Sequence, residues 1–300
     1  MKVFSVGLNL DAEIDELKAF FVENADILCS VYYSLPLGKS FYTRNGLEAE
    51  YKGSDEKLLK IIGIIKETGI RTEVALNTRL SKDQLETAIE YMNRHHMDPD
   101  EIVCRNSSFP LLHAAYPKSE FISCYNNGTE EVLDEFNSIV LGQGYLRNPE
   151  QRLKWHERGY RIILMLNNGC SFLCDPRYCN QERCRIMYEK TRQKLSISQI
   201  YALQSFFPEE LRALAQDPIF FSYRFKLSTR PFGLKYTRDA LRAYAYALSA
   251  PKERFFEDCN NYLLFGALTI LANNFCNMDY NEIVTYKKGL SPLKDEIGVI

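Results

Sequence analysis

The chain has 300 residues, 46% of them hydrophobic and 25% charged, which is enough apolar material for a sizeable core. Its formal net charge is −2, so no overall field favours nucleic acid or an anionic membrane, although a local basic groove stays open. The N-terminal MKVFSVGLNLDAEID lacks the long apolar stretch and small-residue cleavage site of a secretory signal. The apolar stretch Tyr262–Ala272 is about half a membrane span and reads as a buried helix. A cytoplasmic protein without a membrane span is expected, with its nine cysteines mostly reduced.

Short apolar runs alternate with helical patterns along the chain. Strands are predicted at Val3–Leu8, Ala25–Tyr33, Arg71–Leu76, Glu101–Arg105, Glu120–Tyr125, Ser138–Gly142, Arg161–Leu166 and Ile219–Leu227. Between them come helices near Ile14–Glu23, Leu58–Thr68, Ser81–His95 with Ser81 as N-cap, Pro110–Ala115, Glu130–Phe136 and Pro149–Arg158. Pro208 opens a helical segment over Glu209–Ala215, and an amphipathic helix spans Tyr236–Leu248. Eight strands separated by helices predict parallel crossovers and a (β/α)8 barrel over residues 1–250, with an open doubly wound sheet as the alternative. A Cys-rich insertion at 167–195 follows strand seven, and a helical extension over 251–300 packs on the barrel.

Arg161–Arg185 carries the chemistry. An apolar strand breaks at Asn167–Asn168–Gly169, and Cys170, Cys174, Cys179 and Cys184 follow within fifteen residues as C-x3-C-x4-C-x4-C. Four thiolates bind zinc tetrahedrally or hold a 4Fe-4S cube with one Cys per iron. Structural zinc favours C-x2-C knuckles, which this stretch lacks, and gaps of three and four suit a bulkier cluster. The remaining five cysteines read as packing residues, with Cys104 and Cys124 placed near strand ends at the mouth.

Several strands are followed closely by Asn: Asn9, Asn77, Asn106, Asn126 and Asn167. Gathered at one barrel mouth, such carboxamides would bind a polar substrate, with Arg105 beside them; alternatively each Asn merely starts a turn. Lys226 and Arg230, four apart around the end of strand eight, would hold an anionic group on a substrate, or make a salt bridge to an acidic residue on a neighbouring loop. The four histidines read as surface or capping residues, and the aromatics of Tyr32–Tyr42 either cover a substrate or pack beneath their own loop. No HExxH, G-x-S-x-G, P-loop or GxGxxG occurs.

The NNGC-x3-C junction resembles the NRG-x-C-x3-C element of the collagenase-like peptidase U family. Phe225–Arg230 is similar to that family's LKIEGR strand and is followed by a Tyr-rich helix with Tyr236, Tyr244 and Tyr246. Asn77 after VAL, and IVCRNSSFPLLHAAYPKSEFISCYNN, resemble family strands three to five, so the likeness covers roughly residues 1–250. The resemblance implies a barrel with a 4Fe-4S cluster on four cysteines. It further implies a hydroxylation-type factor acting on a small aromatic molecule or an RNA base, some members pairing with a homologous subunit. The chain departs from the family in holding all four cysteines within fifteen residues, and in Ser228 and Thr229 where the family has Glu and Gly. Three functions therefore stand: an iron–sulfur oxidoreductase, a zinc-holding binding subunit of a hetero-oligomer, and a peptidase.

Overall fold

A computed structural model describes residues 2–41, 51, 53–126, 131–141, 148–167, 206, 208–228 and 233–249. The chain divides into two compact units, one of residues 1–165 and 222–234, the other of 166–221 and 235–300.

The first unit is a closed barrel of eight parallel strands in sequence order. They are β1 (Phe4–Gly7), β2 (Leu28–Tyr33), β3 (Arg71–Leu76), β4 (Glu101–Cys104), β5 (Glu120–Asn126), β6 (Ser138–Leu141), β7 (Arg161–Met165) and β8 (Tyr223–Leu227). Every neighbouring pair is parallel, and β8 pairs with β1 to close the ring. Closure satisfies every strand edge and rules out the open-sheet alternative.

Several helices of this unit present an apolar stripe. In α1 (Ile14–Glu23) the stripe is Leu17, Phe20 and Phe21, and in α2 (Asp55–Glu67) it is Leu58, Ile61, Ile62 and Ile65. Each such side chain contributes about 1.5–3 kcal/mol on burial. In α3 (Lys82–Arg94) the Ser81 hydroxyl accepts from the Gln84 N–H at 3.3 Å, and the Gln84 side chain accepts from the Ser81 N–H at 2.8 Å. This reciprocal cap confirms Ser81 as the helix start. In α4 (Phe109–Ala115), Phe109 meets Phe121 edge-on at 5.0 Å, which turns Phe121 outward and its neighbour Ile122 inward. Asn148 caps α5 (Pro149–Glu157) through the N–H groups of Glu150 and Gln151.

Three expected elements differ. β2 starts at Leu28 rather than Ala25, because the N–H groups of Ile27 and Leu28 both bond the Asn24 carbonyl in a turn off α1. β8 starts at Tyr223 rather than Ile219, because Asp217 gathers the N–H groups of Ile219 and Phe220 ahead of a 3-10 turn at Phe220–Ser222. No helix forms over 131–136: the carbonyls of Val132 and Leu133, which a helix would need, accept instead from Arg158 and the Tyr160 hydroxyl.

The second unit contains α6 (Pro208–Ala215) and most of α7 (Gly233–Ser249). Leu166 accepts there from the Phe206 N–H at 2.7 Å, and the Tyr244 hydroxyl lies 3.3 Å from the carbonyls of both Leu166 and Phe206. Among the described residues no helix is long and apolar enough to cross a membrane.

Candidate functional site

The barrel interior is built from alternate strand residues, and its two sides differ in chemistry. On the β4–β7 side, Val103, Ile122, Val140 and Ile163 form an apolar cluster joined by Cys124 and Met165. On the other side the inward positions are polar: Ser5 of β1, Ser30 and Tyr32 of β2, Glu73 of β3, and Arg224 and Lys226 of β8.

Two ion pairs cross this interior. Arg224 holds Glu101 in bidentate fashion, with both N–H···O distances 2.7 Å. Lys226 donates to Glu73. β8 neighbours neither β3 nor β4 in the ring, so both pairs span the lumen. All four residues are buried, Glu73 completely. Burial works against a charge on Arg224, but the acidic groups around it, Cys29, Glu101 and Glu73, together more than offset this and raise the guanidinium's pKa.

Each pair has further partners. Ser30 donates to the second Glu73 oxygen at 3.1 Å, and the Ser5 and Ser30 hydroxyls lie 2.7 Å apart. The Lys226 ammonium sits 4.1 Å from the centre of the Tyr32 ring, whose hydroxyl donates to the Leu227 carbonyl at 2.6 Å. Arg71 bridges Glu101 and Glu120, at 3.0 Å from each, and Arg161 reaches Glu120 at 3.3 Å. Burial alone would raise the Glu120 pKa, but Arg71, with Arg161 and Arg224, brings it below the usual carboxylate value. Burial pushes the Cys29 thiol up, so it stays protonated and donates to the Phe4 carbonyl at 3.0 Å. The Cys104 thiol is likewise raised by burial.

At the C-terminal ends of β3 and β4 lies an open cleft of about 550 Å³, lined by Arg79, Leu80, Arg105, Asn106, Ser107 and Glu131. The Asn106 side-chain amide donates to the Glu131 carbonyl and ties the two segments together. Asn77 directly follows β3, half-buried, with its carbonyl oxygen buried and without a hydrogen-bond partner. Of the expected substrate residues, Arg105 and Asn106 thus share one cleft and Asn77 starts the loop that supplies Arg79 and Leu80. Asn167 is half-buried at the end of the β7 segment, and Asn9 is buried after β1. Asn126 ends β5, and its side chain lies outside the described residues, as do Arg230 and all of Cys170, Cys174, Cys179 and Cys184.

Lys226 is placed inside the barrel and bound to a carboxylate supplied by a strand, where a loop carboxylate was the alternative. Its same-face neighbour on the described strand is Arg224. The residues that the sequence reading passed over are Glu73, Glu101, Glu120, Arg71 and Arg224. Their signal was present: R-x-E in β3 and R-x-K in β8 place charges at alternate positions of otherwise apolar strands. His96 and His113 are exposed and His95 stands at the C-cap of α3, as expected; His113 also stacks on Phe109 at 5.1 Å, and His156 Nδ1 shares a 2.8 Å hydrogen bond with the Ser222 hydroxyl. Tyr33, at the end of β2, and Phe41 are buried. Among the described residues no group of three or more His, Cys, Asp or Glu side chains is arranged to hold a metal.

No protein-family model matches the chain, and no curated protein matches it. Among solved structures it is similar to N-acetylneuraminate lyase from Fusobacterium nucleatum, at 12% identity and TM-score 0.44 over 100% of this chain and 91% of that one. It is also similar to an uncharacterized conserved protein from Geobacillus kaustophilus, at 12% identity and TM-score 0.33 over 82% of this chain and 100% of that one. The fold therefore rests on the strand order of the chain itself: a closed parallel (β/α)8 barrel.

Proposed function

We propose that this chain is a cytoplasmic iron–sulfur barrel protein performing redox or hydroxylation-type chemistry on a small aromatic or nucleobase-like substrate. The observation that carries the reading is a conjunction. The chain closes an eight-stranded β/α barrel, and three residues after the last described residue of the β7 segment, Asn167, it enters a run of four cysteines in fifteen residues. The donor set suits iron–sulfur ligation, being four thiols at gaps wider than zinc knuckles use. The resemblance of this junction, and of Phe225–Arg230, to the collagenase-like peptidase U family supports the same reading and suggests a homologous partner subunit.

Cys170, Cys174, Cys179 and Cys184 would hold the cluster, which would supply one-electron transfer. The barrel's own residues have a different task. The Lys226–Glu73 and Arg224–Glu101 pairs tie β8 to β3 and β4 across the lumen. Glu101 opens β4 and Arg224 lies one residue into β8, so their pair braces the N-terminal end of the barrel, while Lys226 and Glu73 brace it nearer the middle. Asn77, Arg105, Asn106 and Asn126 would orient a polar substrate at the strand C-termini, and Arg230 would meet an anionic group on it.

The test is to replace each of the four cysteines by Ser and purify every variant without oxygen. Each single replacement is expected to lose most of the bound iron and sulfide, whereas Cys259→Ser and Cys276→Ser retain them. A protein that binds zinc alone, or whose iron content ignores all four replacements, refutes the reading.

A further inference from the structure

The cleft beside β3 and β4 plays no part in the ion-pair network, and its lining is selective. It lies among the segments that follow β3, β4 and β5 at the strand C-termini, the end of a β/α barrel at which substrates bind. Its volume of about 550 Å³ falls within the roughly 300–1,000 Å³ of small-molecule sites.

Its charges are two guanidinium groups, Arg79 and Arg105, and one carboxylate, Glu131, a formal balance of +1. Arg79 is exposed and makes no ion pair among the described residues. A guanidinium presents paired N–H donors matched to two oxygens of an anion, while Leu80 offers an apolar wall. Glu131 on the same lining opposes a dianion, because like charges placed together cost free energy. A single negative charge balances the cleft, and a doubly charged phosphate overshoots it.

We propose that this cleft binds a small organic monocarboxylate, with Arg79 and Arg105 on the carboxylate oxygens and Leu80 against the apolar body of the molecule. The cleft is built from barrel residues alone. Its ligand can bind a protein that holds zinc, and can fail to bind one that holds iron, so this proposal and the iron–sulfur reading are refuted separately.

The probe is 3-phenylpropionate at millimolar concentration, followed by saturation-transfer NMR on the full chain. Two comparison probes are the uncharged 3-phenylpropanamide and phenyl phosphate at a pH where it is a dianion. The expected result is transfer to 3-phenylpropionate, much weaker transfer to the other two, and a dissociation constant raised roughly tenfold or more in Arg79→Ala by loss of a charged hydrogen-bond donor. Arg105→Ala is expected to behave alike. Arg79 is exposed, so its variant folds normally by circular dichroism and decides the matter even if Arg105→Ala does not fold. Absent transfer from the wild-type protein, equal binding of the amide, tighter binding of phenyl phosphate, or unchanged binding in folded Arg79→Ala each overturns the proposal.

Discussion

Glu101→Gln is expected to be among the most destabilising single changes in the barrel. Glu101 is 1% exposed and accepts two 2.7 Å bonds from Arg224, itself 6% exposed. The amide keeps the shape but removes the charge, leaving a buried guanidinium without its counterion. Breaking a buried pair from one side costs about 3–5 kcal/mol. Arg71 also loses a partner, but it is partly exposed and keeps Glu120 at 3.0 Å, so its loss adds no more than about 1 kcal/mol. At about 2–4 °C per kcal/mol for a domain of this size, the barrel transition should fall by roughly 6–24 °C. The assay is urea and thermal unfolding followed by circular dichroism on wild type, Glu101→Gln, Arg224→Met and the double variant. The double variant should recover about 2 kcal/mol or more relative to the sum of the singles, since removing both charges leaves neither stranded. Additivity within about 0.5 kcal/mol, or a Glu101→Gln cost under about 1 kcal/mol, would show that the pair does not hold the barrel as described.

Lys226→Met strands Glu73 in the same way and should cost about 3–5 kcal/mol by denaturant unfolding, with Lys226→Met/Glu73→Leu less destabilised than Lys226→Met alone. Ser81→Ala removes the α3 cap and should cost about 1 kcal/mol by the same measurement, leaving metal content unchanged. The folded-state pKa of Glu120 lies below its usual 4.5, so the stability it contributes is present above that value and is lost as pH falls through the lowered one. Wild type should therefore lose more stability than Glu120→Gln between neutral pH and the acid range in urea titrations; equal losses would contradict the Arg71–Glu120–Arg161 arrangement.

The architecture was legible because periodicity and turn chemistry agreed nearly everywhere. β3 runs Arg71–Leu76 as expected, and Ser81 announced the start of α3. The misplaced starts of β2 and β8 share one cause: Ile27, Ile219 and Phe220 are apolar enough for a strand, yet their N–H groups are claimed by Asn24 and Asp217. At 131–136 the apolar spacing suits a helix, but donors from Arg158 and Tyr160, distant in sequence, take the carbonyls. The interior network was harder to read. A strand of a barrel has an inner and an outer face, and Glu73 or Arg224 alone reads as an exposed charge until closure turns it inward. Pairing Lys226 with Arg230 followed nearness along the chain, whereas Lys226 meets Glu73, 153 residues away, across a lumen that exists only after folding. The cleft was partly legible: Arg105 and Asn106 stood out as following β4, but Arg79 and Glu131 join them only through the juxtaposition of three loop segments.

The whole functional reading depends on four sulfurs converging on iron. Iron, acid-labile sulfide and zinc measured per chain on protein purified without oxygen test it most directly. The prediction is about four irons and four sulfides per chain with a brown colour that bleaches on reduction. A colourless protein carrying one zinc and no sulfide contradicts it.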